Sequence, residues 1–184
     1  MGQWLGMAKN SFVEVLENAD NFVSLKRAIE FINNHAVYVG IADDGNDREE
    51  EENKEVTNAE LLYIHSNGSP ARNIPARPVI EPAIKNDADR LHKMMKKAAQ
   101  YAFDGEEEKG VEQLKKTGMR GQNVSRDWFY NDENGWPPDS PATIQAKINK
   151  HKNVKGYEPR TLIDTSQMKN SITYFVKTKE GRIK

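Results

Sequence analysis

Prolines restrict the fold of this chain more than any other residue type. Pro70, Pro75 and Pro78 follow one another closely, and proline disfavours helix both at its own position and at the residue before it. Pro82 comes next, at a position that suits the first turn of a helix. The sequence therefore predicts an extended connector over residues 70–78 that leads directly into a helix.

The helix after this connector is predicted to be the longest in the protein. Between Pro82 and Gly105, apolar residues recur at steps of four and three, which is typical of a helix with one narrow buried stripe. They are Ile84, Ala88, Leu91, Met95, Ala98 and Ala102. Gly105 suits the helix end. A shorter helix over residues 107–116 is predicted to follow it, and then a plain turn at Gly118–Gly121.

A second proline-rich stretch precedes another predicted helix. In GWPPDSPATIQAKINK, residues 135–150, Ser140 and Pro141 suit the N-cap and first turn of a helix that presents Ile144 and Ile148. The nearby aromatic residues are expected to pack onto this helix, and the alternative is an exposed patch at an interface. These aromatic residues are Trp128, Phe129, Tyr130 and Trp136.

Shorter patterns predict the remaining elements. Alternating apolar residues indicate strands over residues 37–41 and 172–176. Thr57 and Glu60 fit a capping box for a helix that ends at Asn67–Gly68. Two helical pieces are predicted before the first strand, the second with Ser24 as its N-cap. A final turn, capped by Asp164 and Thr165, precedes the last strand.

Together these patterns predict an α+β fold. We expect a small antiparallel or mixed β-sheet packed against several helices, including one long helix, with extended loops. The 184 residues fit one domain, with a flexible segment near 151–160. Only 36% of the residues are hydrophobic and 30% are charged. That composition favours long exposed helices and surfaces that neighbouring subunits complete.

The charge of the chain is unevenly distributed. Its formal net charge is −1, yet residues 43–55 contain eight acidic and two basic residues and so carry −6. The rest of the chain is then +5. This segment is predicted to be a solvated acidic loop. Its acidic residues include Asp43, Asp44, Asp47, Glu49, Glu50, Glu51 and Glu52.

No motif in the sequence points to catalysis, a metal or a cofactor. The chain has no cysteine, and its four histidines lie in separate predicted elements. Neither a nucleophile elbow nor a glycine-rich phosphate loop is present. We therefore expect a protein that is not an enzyme. The absence of a membrane-spanning window and of a signal peptide predicts a soluble protein inside a cell.

Four blocks of sequence resemble one family of tailed-phage proteins. They are AELLYIHSNG at 59–68, NIPARPVIEPAI at 73–84, GWPPDSPATI at 135–144 and LIDTSQMKNSITY at 162–174. In this order they are similar to the phage virion-morphogenesis, or tail-completion, proteins. The resemblance covers roughly residues 36–177. The chain departs from the family where His65–Gly68 replaces a Glu-Phe-Gly sequence, and in its long acidic loop.

The resemblance implies a structural role in the virion. The expected protein forms a hexameric ring at the neck, between head and tail, beside head-closure or tail-terminator proteins. DNA would pass through this ring without sequence-specific binding, and assembly would take place in the cytoplasm of the bacterial host. No catalytic residues are implied. The candidate interface residues are Arg77, Pro78, Trp128, Trp136, Pro137 and Asp164.

A nucleic-acid-binding module is the alternative function. It would use basic residues of the predicted helices, although the same residues also fit an ordinary solvated helix face. These residues are Lys93, Lys96, Lys97, Lys115, Lys116 and Arg120.

Overall fold

A computed structural model of the chain describes residues 20–42 and 56–183 and confirms the α+β fold. Residues 20–34 form helix α1 and Ala36–Gly40 form strand β1. The later helices are α2 (Asn58–Asn67), α3 (Ile80–Asn86), α4 (Ala88–Phe103), α5 (Glu107–Asp127), α6 (Pro141–Lys150) and α7 (Gln167–Ser171). The later strands are β2 (Thr173–Thr178) and β3 (Gly181–Ile183). Short 3-10 turns lie at Pro70–Arg72, Trp128–Tyr130 and Asp132–Asn134.

The sheet is small and antiparallel. Strand β2 lies in the middle and pairs with β1 and β3. Since Val37 pairs with Val176 and Val39 with Tyr174, these four apolar side chains share one face, which packs on α5. Strands near 37–41 and 172–176 were predicted and are confirmed. The short strand β3 was not predicted.

Helix α5 corrects the prediction of a short helix followed by a turn. It continues through Gly118 and Gly121 and is the longest helix with described bounds. A Cβ at Gly118 would lie 2.3 Å from Cδ2 of Tyr174, and one at Gly121 would lie 2.8 Å from Cγ2 of Val39. The glycines therefore let the sheet approach the helix closely and do not form a turn.

The predicted long helix from Pro82 to Gly105 is wrong, because the chain breaks at Asp87. Helix α3 ends one residue before Asp87 and α4 begins one residue after it. The two carboxylate oxygens of Asp87 accept hydrogen bonds of 2.8 and 2.7 Å from Nε and Nη2 of Arg120. This pair ties the junction to α5 and fixes the break.

Helix α1 is continuous over residues 20–34, so the prediction of a helix start at Ser24 is wrong. Ser24, Ala28 and Phe31 share one face, and a continuous helix keeps that face against the protein. Phe31 is buried in a cluster that joins helices α4 and α5 to the sheet. The predicted helical piece before residue 20 and the acidic loop at 43–55 lie outside the described residues.

A second cluster holds the aromatic residues before α6. Trp128 and Phe129 are buried there with Leu62, Val79, Ala83, Met168 and Ile172. The prediction that the aromatic residues pack onto α6 is therefore wrong. Helix α6 has no buried residue, and its Ile148 is exposed. Polar contacts, described below, hold α6 in place instead.

Capping predictions succeeded at two helices and in part at a third, α7, where Thr165 Oγ1 accepts a 3.4 Å hydrogen bond from the backbone nitrogen of Gln167. The capping box of Thr57 and Glu60 is present at α2, and Ser140 Oγ accepts a 3.1 Å hydrogen bond from the backbone nitrogen of Thr143 at α6. Asp164 does not cap the turn before the last strand, because its carboxylate binds cations at the end of α6. Ser166 occupies the N-cap position of α7 and makes no side-chain capping bond.

In the segment predicted to be flexible, 151–160, residues 151–156 form turns and a bend, and Arg160 forms an isolated bridge with Ile163. The rings of His151 and Tyr157 stack within it at a centroid distance of 4.3 Å. Its flexibility stays a prediction.

Candidate functional site

Arg77 joins the two proline-rich stretches of the chain. Its Nε donates a 3.0 Å hydrogen bond to the carbonyl of Pro137, and its Nη2 donates one of 3.0 Å to the carbonyl of Pro138. The same Nη2 lies 3.2 Å from Oδ1 of Asp139. The Arg77 side chain is only 7% exposed. The planar guanidinium thus satisfies three acceptors of consecutive residues, as its rigid fork of donors allows.

Lys147 extends this contact from the connector to α6. Its Nζ lies 2.7 Å from Oδ2 of Asp139 and donates a 2.7 Å hydrogen bond to the carbonyl of Arg160. Asp139 therefore lies between two cations, and all three side chains are largely buried. These ion pairs and hydrogen bonds anchor α6 in place of an apolar face.

Trp136 is the second link between the proline-rich stretches. Its indole Nε1 donates a 2.9 Å hydrogen bond to the carbonyl of Pro78. Its ring meets Phe129 edge to face, with centroids 5.6 Å apart. Trp136 is half-buried and Pro137 is exposed. Trp128 is buried within the subunit, so its side chain is not a surface contact.

Asp164 closes the far side of the same region. Its carboxylate lies 2.6 Å from Nζ of Lys150 and 2.9 Å from Nε2 of His151. Burial, the largest influence, raises the pKa of Asp164, but the hydrogen bonds from Lys150 and His151 outweigh it and leave the pKa below its usual value. The carboxylate is therefore ionised at neutral pH and holds the end of α6.

We refer to the region formed by Arg77, Trp136, Asp139, Lys147 and Asp164 as the Arg77 corner. Arg77, Trp136 and Asp164 were predicted as candidate residues, whereas Asp139 and Lys147 were not. Asp139 lies inside the GWPPDSPATI block, which was a usable signal. Nothing local marks Lys147, because its acceptors are set by the fold and lie on either side of α6.

An open cleft of about 540 Å³ lies beside the Arg77 corner. Its walls combine apolar and polar groups, including Leu61, Ile74, Met168, Thr143 and Gln167. Most ionised groups of its floor already pair with one another. The cleft can therefore accept a side chain or a short segment of a neighbouring protein without an added countercharge.

The six basic residues of the alternative function are not equivalent. Lys93, Lys96 and Lys97 are exposed on α4, opposite its buried face. Lys116 is exposed on α5, whereas Lys115 lies 3.2 Å from Glu112 and Arg120 is bound to Asp87. The structure thus leaves a smaller basic surface than the sequence predicted.

Among residues 20–42 and 56–183, no group of three or more His, Cys, Asp or Glu side chains could hold a metal ion. None of the helices in these ranges has the length and hydrophobicity that a bilayer crossing requires.

The Asp87–Arg120 pair is expected to make the free energy of unfolding depend on pH in the acid range. The hydrogen bond from Arg120 lowers the pKa of Asp87. The pair's contribution is therefore present above the unfolded pKa of about 3.9 and is lost as the pH falls through the folded pKa. We expect Asp87→Asn to cost about 1 kcal/mol at neutral pH and almost nothing in strong acid. Urea denaturation of both proteins across this range measures the difference, and a constant difference would contradict the prediction.

Comparison of the chain with protein-family models, curated proteins and solved structures gave no significant match.

Proposed function

We propose that the chain is a structural protein of a tailed-phage virion. It is a tail-completion or neck component that forms a ring and joins head and tail around the DNA channel. The Arg77 corner is the observation that carries this proposal. Blocks of sequence that resemble the tail-completion proteins lie about sixty residues apart in the chain, yet side chains of each block donate hydrogen bonds there to backbone carbonyls of the other.

The chemistry of the Arg77 corner suits a frame that fixes geometry. Arg77 and Lys147 are bound to backbone carbonyls and to the carboxylate of Asp139. Trp136 is hydrogen-bonded to a backbone carbonyl. Such buried, mutually satisfied contacts hold the connector, α6 and the 160–164 segment at fixed angles. A ring subunit needs this rigidity because a small error in angle accumulates around the ring.

The proposed setting follows from the same resemblance. Copies of the chain would contact one another in a hexameric ring and contact head-closure or tail-terminator proteins above and below it. The assembled protein would lie in the virion neck after assembly in the host cytoplasm. DNA would pass through the ring without sequence-specific contacts.

Electron microscopy of the intact particle tests this proposal. The expected result is density at the neck into which α4, α5 and the sheet of this chain can be built. Density for this chain at another position in the particle, or its absence from purified particles, would overturn the proposal.

The acidic loop gives a separate prediction, which depends on a ring that surrounds DNA. If residues 43–55 line the channel, their charge of −6 repels phosphate and keeps DNA from adhering to the wall. Replacing Glu49–Glu52 with glutamine should then reduce the number of infectious particles. Unchanged assembly and DNA ejection would favour a loop that faces bulk solvent.

The nucleic-acid alternative keeps one supporting observation, the exposed lysines of α4. A gel-shift titration of purified protein at low and moderate salt separates the two functions. Duplex binding at micromolar protein that weakens steeply with salt would favour the alternative. Loss of that binding in a Lys93→Gln, Lys96→Gln and Lys97→Gln variant would locate it on α4.

A further inference from the structure

Helix α1 exposes a line of large apolar side chains, which we call the α1 stripe. It consists of Phe22, Leu25, Ile29 and Ile32, whose exposed fractions are 68, 51, 49 and 54%. The four residues lie at positions i, i+3, i+7 and i+10 and so follow one face of the helix. Single exposed hydrophobic residues are ordinary, but a contiguous line of four marks a contact surface.

The α1 stripe is separate from the face by which α1 is attached to its own subunit. That attached face carries Ala28 and Phe31, which are 8 and 4% exposed. Arg27 adds a 3.3 Å hydrogen bond to the carbonyl of Phe103. Helix α1 is thus fixed along one flank, and no part of residues 20–42 or 56–183 covers the stripe along its other flank.

The sheet has a second uncovered surface, which we call the outer sheet face. Tyr38 is 46% exposed there, and its ring stacks on Phe175 with centroids 5.0 Å apart. The guanidinium of Arg182 lies 4.5 Å from the centroid of the Phe175 ring. The inner face of this sheet is covered by α5. A solvated outer face normally carries polar side chains, so its aromatic pair is a further contact surface.

We propose that the α1 stripe of one copy packs across the outer sheet face of the next copy. Each surface carries exposed apolar or aromatic side chains, and each lacks a cover among the described residues of its own subunit. A helix laid on an open sheet face completes a layer, which is the usual way in which both elements bury apolar area. Lys26 beside the stripe lies 3.9 Å from Glu30, so it adds little repulsion toward Lys177 and Arg182.

The area of the contact sets its strength. The four side chains of the stripe expose on the order of 400 Å². A standard interface buries about 800 Å² on each partner. The contact is therefore weak between two isolated copies and becomes stable when flanking residues and closure of the ring add to it.

A head-to-tail contact explains both surfaces, whereas a symmetric one does not. Pairing of two α1 stripes would leave Tyr38 and Phe175 uncovered and would end at a dimer. Contact between two different surfaces leaves one of each free for the next copy, so it can continue into a closed ring. The inference rests on the proposed function for this ring, but the contact itself is a property of the purified protein.

The absence of cysteine from the chain makes a cross-linking test specific. Ile29→Cys and Tyr38→Cys are combined in one full-length chain and treated with a short bismaleimide. We expect a ladder of dimers and larger products, at least about tenfold more abundant than from either single variant, because the contact holds the two thiols at high effective concentration. The matched control combines Ile29→Cys with Tyr63→Cys, since Tyr63 is exposed on α2, and should give only background product.

Several outcomes would overturn the proposed contact. Abundant dimers from Ile29→Cys alone would show symmetric pairing of α1. Background amounts of product from a folded double variant would show that the contact does not form. A ladder that appears only after removal of residues 1–19 would show that this chain's own N-terminal segment covers the stripe. Thermal melts verify folding, and Leu25→Cys replaces Ile29→Cys if the first variant does not fold.

The cross-linking result is independent of where the protein lies in a particle. A ladder without neck density would reject the proposed function and retain the contact between copies. Neck density without a ladder would reject this contact and retain the proposed function.

Discussion

Replacing Arg77 with methionine is expected to lower the free energy of unfolding by about 3 kcal/mol. Methionine keeps much of the side-chain volume but removes every donor. Asp139 then loses one of its two cations, and the carbonyls of Pro137 and Pro138 lose their donors. Chemical denaturation monitored by tryptophan fluorescence measures the change.

The remaining contact between Lys147 and Asp139 sets the size of this effect. Because Lys147 stays 2.7 Å from the carboxylate, Asp139 is not left as an unpaired buried charge. The loss should therefore lie near the lower end of the range of about 3–5 kcal/mol for a broken buried pair. Arg77→Lys should lose less, since an ammonium group can still reach one acceptor but cannot reproduce the fork.

A control and a double variant separate the Arg77 corner from a general effect of charge. Arg72→Met, at an exposed position of the same connector, should change stability by less than about 0.5 kcal/mol. Combining Arg77→Met with Asp139→Asn should cost less than the sum of the single changes, because the two side chains interact directly. A loss below about 1 kcal/mol for Arg77→Met would contradict a structural role for the Arg77 corner.

The sequence predicted best those features that depend on neighbouring residues. The capping box of Thr57 and Glu60 and the cap at Ser140 act within three or four residues, so their spacing is visible in the sequence. Both strands of the central pair were also predictable, since alternation follows directly from strand geometry.

The Arg77 corner was predictable only in part. Arg77 and Trp136 stand out because a guanidinium and an indole require partners wherever they are buried. Their acceptors, the carbonyls of Pro137, Pro138 and Pro78, lie about sixty residues away in the chain. No spacing rule connects positions so far apart. For the same reason Asp164 was predicted to cap a nearby turn, whereas in the fold its carboxylate binds Lys150 and His151.

The errors in the helices share one physical cause. Gly118 and Gly121 look like a turn because each glycine disfavours a helix by roughly 1 kcal/mol relative to alanine. That cost is offset only by the close approach of Tyr174 and Val39, which the sequence does not reveal. Periodicity likewise predicted the α1 helix, but it could not show that one apolar flank packs inward and the other faces outward.

Replacing Gly118 with alanine has two effects on stability that oppose each other. On an open helix, Gly118→Ala would stabilise the protein by about 1 kcal/mol. In this fold the added Cβ would lie 2.3 Å from Cδ2 of Tyr174, whose ring is buried against the helix. The ring or the helix must move, and overpacking of a core costs about 1–3 kcal/mol.

We therefore expect Gly118→Ala to destabilise the protein by about 2 kcal/mol and to lower its melting temperature. Asn123→Ala, at an exposed position of the same helix, serves as the control and should be neutral or slightly stabilising. In a Tyr174→Leu background the smaller side chain makes room, so Gly118→Ala should cost much less there. Stabilisation by Gly118→Ala in the otherwise unchanged chain would mean that α5 and the sheet do not approach as closely as the fold requires.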